Sequence, residues 1–282
     1  MSINTALETR YEIETDPEGW VPSNRAKYVN WIDKTFKYSK QKESSLFPHQ
    51  RFVKDYIQYK SPYRGMLLYH GLGSGKTLSS IAAVEILMNH MDVVVLLPTF
   101  LEQNYISEIR KYGRSYFMLD QYWTKVASTD ALIQKLKIKP RLAANGVWIP
   151  DSNKPSNFYK LTTKEQEEIK EQTESAIRAR FNFMHTDGLR LKALQKFAEH
   201  GNPFDNKCVI IDEVHNMVSR IANGKKTGLP IYRLLMSAQN CKIILLSGTP
   251  VINHPFEIAF IVNMITGYKK LYEAKIATGN MD

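Results

Sequence analysis

Hydrophobic and polar positions along the chain follow two rhythms. Four short stretches, 66–69, 93–97, 208–211 and 242–246, are almost continuously apolar and bounded by turn residues. Runs of this kind predict strands buried on both faces of a parallel sheet. Between them, apolar residues recur at three- and four-residue spacing, the signature of a helix with one buried face. One helix begins near Pro48 and carries Phe52, Val53, Tyr56 and Ile57; others cover 76–90, 100–112, 216–222, 230–239 and 255–265. Strand and helix in succession predict an α/β sheet with right-handed crossovers.

Two regions follow neither rhythm clearly. Residues 1–45 are polar and mixed, with Trp20, Trp31 and Phe36 scattered among them and Pro17 and Pro22 as breakers. They read as an extended or loosely helical lead-in that packs on the domain. Residues 113–207 are the least regular. A short strand over 117–119, a surface excursion over 139–159, a charged helix over 162–180 and a short helix over 190–200 are expected there. The charged helix reads as a solvated face more readily than as a partner site. The resulting division is a lead-in over 1–45, a domain over 46–268 with a partly helical insertion at about 120–207, and a tail or linker over 269–282.

Composition narrows the partners. Hydrophobic residues make up 43% of the 282, enough for a real core, and the net charge of +10 favours a polyanion, nucleic acid before membrane. Two cysteines, Cys208 and Cys241, argue against a disulfide scaffold and suit a reducing compartment. The first twenty residues are polar and acidic, unlike a signal peptide, and no apolar stretch approaches membrane-span length. A soluble, intracellular protein is expected.

The candidate chemistry sits where apolar runs end. The 66–69 run meets Gly71, Gly73, Ser74 and Gly75, then Lys76 and Thr77 open a helix. Strand, glycine-rich turn and helix are the context of a phosphate-binding loop. Glycines let several backbone N–H groups aim at one anion, and the helix adds its positive end. Lys76 can reach the β- and γ-phosphates of ATP, and the Thr77 hydroxyl can ligate Mg²⁺. The general pattern wants glycine six residues before the lysine, where this chain has His70. The 208–211 run ends in Asp212 and Glu213, followed by His215, and the 242–246 run ends in Ser247, Gly248 and Thr249. Ligands bind at the carboxyl ends of strands in an open parallel sheet, so all three clusters should face one crevice. There Asp212 serves the metal and Glu213 the attacking water. Gln50, one turn into the first helix, reads either as an exposed helix glutamine or as an amide that pairs with an adenine edge.

In this order, GLGSGKT, DEVH and SGTPVIN resemble superfamily-2 helicase-like ATPases. Gly71 to Thr77 matches motif I, Asp212 to His215 motif II, and Ser247 to Thr249 motif III. Phe47 to Gln50 looks like the upstream adenine-reading motif, and Leu97-Pro98-Thr99 like motif Ia, which contacts the nucleic-acid backbone in such enzymes. Gly248-Thr249-Pro250 followed by Asn253 is closer to Swi/Snf-type translocases on duplex DNA than to typical RNA helicases. More narrowly, PYRGMLLYHGLGSGKT, IIDEVHNMVSRI and NCKIILLSGTPVIN look like helicases of large nucleocytoplasmic DNA viruses. Relatives of the poxvirus early transcription factor small subunit and of nucleoside triphosphate phosphohydrolase I belong there.

That resemblance implies a RecA-like P-loop NTPase domain, ATP with Mg²⁺ as cofactors, and nucleic acid, duplex DNA before RNA, as partner. It implies coupling roles for His215, Ser247, Gly248 and Thr249, and backbone contacts for Thr99 and nearby Asn104. Lys225 and Lys226 are further candidates, although a solvated lysine loop fits them better. Motors of this kind place ATP between two RecA-like domains. The chain is expected to hold the first only, to need the second in cis or in trans, and to hydrolyse ATP weakly alone. The setting implied is viral transcription, with the transcription machinery as a further partner, in the host cytoplasm or the virion.

Two other readings compete. A phosphotransferase also uses a phosphate loop, but has no reason to pair DEVH with SGTP. A nucleotide-dependent binding module or transcription-factor subunit would bind without hydrolysis. Stimulation of hydrolysis by nucleic acid, rather than by a small acceptor, separates them.

Overall fold

A computed structural model describes residues 26–37, 46–58, 63–69, 71, 75–187, 191–199, 201–224, 228–250 and 255–267. Most of the expected lead-in and all of the 269–282 tail lie outside them. Within 1–45, Ala26–Thr35 forms helix α1.

Five strands make one parallel sheet: β1 (Gly65–Tyr69), β2 (Asp92–Leu97), β5 (Phe181–His185), β6 (Lys207–Ile211) and β7 (Lys242–Ser247), in the order β1-β7-β6-β2-β5. The strand that leads to the phosphate loop and the strand that ends in Asp212 are separated only by β7, which ends in Ser247. All three polar clusters therefore share the carboxyl edge.

The apolar runs divide between the two faces with period two, as strand geometry requires. Val93, Val95, Leu97, Cys208, Ile210, Ile244 and Leu246 pack with residues of α2 (Pro48–Tyr56), α3 (Lys76–Leu87), α4 (Glu102–Tyr112) and α6 (Thr163–Arg178). Val94, Leu96, Val209, Ile211, Ile243 and Leu245 pack with α7 (Leu191–Ala198), α8 (Val214–Ala222), α9 (Gly228–Ser237) and α10 (Glu257–Thr266). Both cysteines are buried and free, as packing residues.

The region between α4 and β6 departs from expectation in three ways. Residues 117–119 form no strand; Phe117 is a turn residue whose side chain is buried. The stretch 139–159 is no simple surface excursion, since β4 (Val147–Asp151) pairs antiparallel with β3 (Tyr122–Val126). Trp123, Trp148, Phe158 and Ile169 form a small core beneath this pair, and Gln172 of α6 fixes it by exchanging hydrogen bonds of 2.9 and 2.7 Å with the Trp148 backbone. Helix α5 (Asp130–Leu136) joins the two strands. Finally, the insertion does not run to residue 207. β5 pairs with β2 in the main sheet and Leu194 of α7 belongs to its core. β5 is an edge strand, so it needs no continuous apolar run: Asn182 is exposed between buried Phe181 and half-buried Phe183.

Candidate nucleotide-binding site

Gly75 stands at the N-terminus of α3 with φ 77° and ψ 35°, in the left-handed region. A Cβ there would also lie 2.6 Å from Gln50 Nε2. The left-handed conformation favours glycine, and any Cβ would also push the Gln50 amide aside. Lys76 and Thr77 form the first turn of α3, at its positive end. The Lys76 ammonium donates to the Gly71 carbonyl at 3.3 Å, so the side chain folds back toward the end of β1. The Thr77 hydroxyl has no hydrogen-bond partner among the described residues, although its backbone carbonyl accepts from Ser80 Oγ at 2.7 Å. Gly73 and Ser74, expected at the phosphates, lie outside the described residues.

Gln50 is not an exposed helix residue: only 2% of it is accessible. Its Oε1 accepts the Phe47 N–H at 3.0 Å and closes the start of α2. Its Nε2 lies against Gly75. One half of the amide is thus committed to its own helix and the other half adjoins the phosphate loop.

At the next strand end, the Asp212 N–H donates to the Leu96 carbonyl at 2.9 Å and extends the β6–β2 ladder. Asp212 Oδ1 accepts the Glu213 N–H at 2.9 Å. Glu213 adopts φ 50° and ψ 52° as it starts α8. A non-glycine residue held there costs on the order of 1–3 kcal/mol, and such positions cluster at functional sites. Burial first, and the Glu213 charge second, push the Asp212 pKa up to about 6, while the Glu213 N–H and the Lys76 ammonium hold it down.

These carboxylates connect to the third cluster. His215 Nδ1 lies 3.2 Å from Glu213 Oε2 and 2.8 Å from Ser247 Oγ. Ser247 is fully buried, and its Oγ accepts the Thr249 N–H at 3.0 Å. Glu213, His215, Ser247 and Thr249 thus form one polar chain across two strand ends, with Gly248 inside it.

The donor set fits a magnesium-bound nucleotide. Two adjacent carboxylates in a largely buried place call for cationic charge. The Thr77 hydroxyl offers an uncommitted oxygen. Hard oxygen donors of this kind suit magnesium, which takes one or two protein oxygens and keeps waters and phosphate oxygens as its other ligands.

Of the nucleic-acid candidates, Thr99 follows β2 on the carboxyl edge. Its N–H and its hydroxyl both donate to the Asp187 carboxylate, at 3.0 and 2.8 Å. Asn104 is exposed on α4, with no side-chain hydrogen bond among the described residues. Lys225 and Lys226 lie outside the described residues. Asp187 had no signal in the sequence, because its partner is 88 residues away and no motif joins them. The same holds for Glu102, which lies under this edge, receives Arg178 Nη2 at 2.7 Å and contacts His185 Nε2.

A parallel sheet whose carboxyl edge gathers Lys76 and Thr77, a DE pair and a linked serine–threonine cluster has the architecture of a P-loop NTPase-like domain of the helicase class. Residues 39–252 match the family described as type III restriction enzyme, res subunit, and the chain belongs to that family. A provisionally named ATP-dependent RNA helicase of Acanthamoeba polyphaga mimivirus is 28% identical over 271 residues, covering 88% of this chain and 41% of that protein. A termination factor NPH-I homolog of African swine fever virus is 24% identical over 223 residues, covering 76% of this chain and 25% of that protein. Among solved structures, the Sulfolobus solfataricus SWI2/SNF2 ATPase core in complex with dsDNA aligns with a TM-score of 0.42 at 15% identity, over 79% of this chain and 36% of that one. The resemblance to helicases of large DNA viruses is borne out by the viral relatives. The chain spans 41% and 25% of the length of those two proteins.

Proposed function

We propose that this chain is the ATP-binding motor domain of a nucleic-acid-dependent ATPase, a DExH helicase or duplex-DNA translocase serving viral transcription. The observation that carries the reading is the polar chain from Glu213 through His215 and Ser247 to Thr249. It gives the carboxylate beside the phosphates a physical connection to a second strand end, which a phosphotransferase would not need. The names of the viral relatives support the helicase class and the setting in transcription. The Gly248-Thr249-Pro250 sequence favours duplex DNA over RNA.

In this reading the backbone of Gly71, Gly73, Ser74 and Gly75 wraps the phosphates, and Lys76 neutralises the outer two. Thr77 and Asp212 hold the metal. Bound magnesium supplies a hard divalent charge that polarises phosphate oxygens. Gln50 Nε2 meets the adenine edge. Glu213 orients the attacking water and accepts its proton, a role typically worth about 10²–10⁴ in rate. His215, Ser247, Gly248 and Thr249 relay nucleotide state to the nucleic-acid side, where Thr99, Asn104, Lys225 and Lys226 touch backbone. A second RecA-like domain, in cis or in trans, completes the site with an arginine worth roughly 10³–10⁵ in rate. No helix among the described residues is long and apolar enough to cross a membrane, and host cytoplasm or virion is the proposed location.

The test is ATP hydrolysis by the purified chain with and without duplex DNA, single-stranded DNA and RNA, beside Glu213→Gln. Hydrolysis that duplex DNA stimulates and Glu213→Gln abolishes supports the motor. MgATP binding with no hydrolysis under any nucleic acid, even with a second RecA-like domain added, would leave a nucleotide-dependent binding module instead.

A further inference from the structure

We infer that the chain carries a second nucleic-acid contact surface, on the sheet edge opposite the phosphate loop, formed by the end of α5 and the 3₁₀ turn Pro140–Ala143 that follows it. The inference rests on the reading that the chain binds nucleic acid. It concerns a surface that none of the helicase-like motifs includes.

The location follows from the strands. Asp92 opens β2, Lys207 opens β6 and Arg180 immediately precedes β5, so all three mark the amino-terminal edge. Arg180 donates to the carbonyls of Lys135 and Leu136, at 2.8 and 2.7 Å, and so fixes the end of α5 to that edge. Its guanidinium also lies 4.8 Å from the centre of the Tyr116 ring. The segment after α5 is equally well held. Ile138 is only 4% accessible and belongs to the main core. The Lys139 N–H donates to Ser175 Oγ at 3.0 Å.

On this rigid support Lys135, Lys137, Lys139 and Arg141 are all exposed, one cation at every second residue. None of the four makes an ion pair among the described residues. The acids in the neighbourhood are few. Asp92 is already paired with Lys207 at 2.7 Å and feels the charge of Lys137 as well. Asp130 lies at the far end of α5, and exposed Glu171 stands one turn before Ser175 on α6.

A second observation separates this run from an ordinary solvated face. Lys137 ends α5 with φ 54° and ψ 41°, in the left-handed region that helix ends normally give to glycine. A lysine there is held at a cost of order 1–2 kcal/mol that glycine would avoid. The cation at this position thus stands in a backbone conformation that glycine would hold at lower cost. The partner this surface fits is a phosphate backbone. A membrane surface would call for apolar side chains beside the lysines, and no large hydrophobic residue of 130–145 is exposed.

The test is the salt dependence of duplex DNA binding by the whole chain, wild type against Lys135→Ala/Lys137→Gly/Lys139→Ala/Arg141→Ala. Each phosphate contact contributes roughly 0.9 to the slope of log K against log salt. The quadruple variant should therefore flatten the slope by about 3–4. Lys137→Gly alone should flatten it by about 0.9 while its melting temperature stays equal or rises. A wild type that binds DNA and a quadruple variant with the same slope and affinity would overturn this inference alone, and turn attention to an acidic protein partner. A wild type that binds no nucleic acid would overturn both this inference and the proposed function.

Discussion

His215 Nδ1 lies 2.8 Å from Ser247 Oγ and joins the first turn of α8 to the end of β7. The same serine oxygen accepts the Thr249 N–H, so one buried hydroxyl serves two elements. His215→Ala removes the bridge and leaves Ser247 with one partner fewer. A stability loss of about 1 kcal/mol is expected, the usual net worth of such a hydrogen bond. MgATP binding should survive, while stimulation of hydrolysis by nucleic acid should fall sharply. Equal stimulation in wild type and variant would show that this bridge does not couple the two sites.

Lys76→Ala tests the phosphate loop itself. Its amine donates to the Gly71 carbonyl. A ligand at 100 times its dissociation constant stabilises a protein by roughly 2.7 kcal/mol, readily visible in a melting curve. Lys76→Ala should lose the MgATP shift and keep the ligand-free melting temperature. A shift retained at full size would move the nucleotide elsewhere.

Asp212 should trade stability for function. Its carboxylate is largely buried and sits beside Glu213, and its pKa is pushed up to about 6. Ionised Asp212 therefore weakens the metal-free fold at neutral pH. Asp212→Asn keeps the acceptor for the Glu213 N–H and removes the charge. In EDTA at pH 7 it should unfold at higher urea than wild type, by up to about 3 kcal/mol. It should also lose the magnesium-dependent part of nucleotide binding. A variant less stable than wild type would mean that the carboxylate is better compensated than its burial and neighbour indicate.

How much of this was legible beforehand follows from which physical signals are local. The continuous runs 93–97 and 208–211 identified central strands because a strand buried on both faces has no polar position to interrupt it. β5 gives no such strand signal, because an edge strand exposes Asn182. β3 and β4 give none either, because Pro150 and Asp151 interrupt one of them and their small core draws Ile169 from a helix. At the site, Gly75, Lys76, Asp212 and Glu213 could be found because each motif is contiguous. The grip of Asp187 on Thr99, and of Arg178 and His185 on Glu102, depends on strands β2 and β5 lying side by side. No short-range pattern encodes that adjacency.

Glu102 yields the last prediction, because it is a nearly buried acid outside the chemistry. It starts α4, is 8% accessible, and is held by Arg178 of α6 and His185 at the end of β5. Burial pushes its pKa up, but the hydrogen bonds from Arg178 and His185 together more than offset this, and the carboxyl titrates below its ordinary value. A depressed acid adds stability that is complete above the unfolded-state pKa, about 4.3 for glutamate, and is lost as pH falls through the folded-state value. Glu102→Gln keeps the shape and removes the charge. Hydrogen bonds to charged groups contribute about 1.5–3 kcal/mol, and the partial exposure of Arg178 favours the lower end. At pH 7 the variant should therefore be less stable than wild type by about 1.5–2 kcal/mol in urea unfolding. As pH falls below about 4.3 the gap should close, because wild-type Glu102 is then protonated and resembles glutamine. A gap that stays constant from pH 7 to the acid limit would mean that the Arg178 and His185 contacts do not depend on the charge of Glu102.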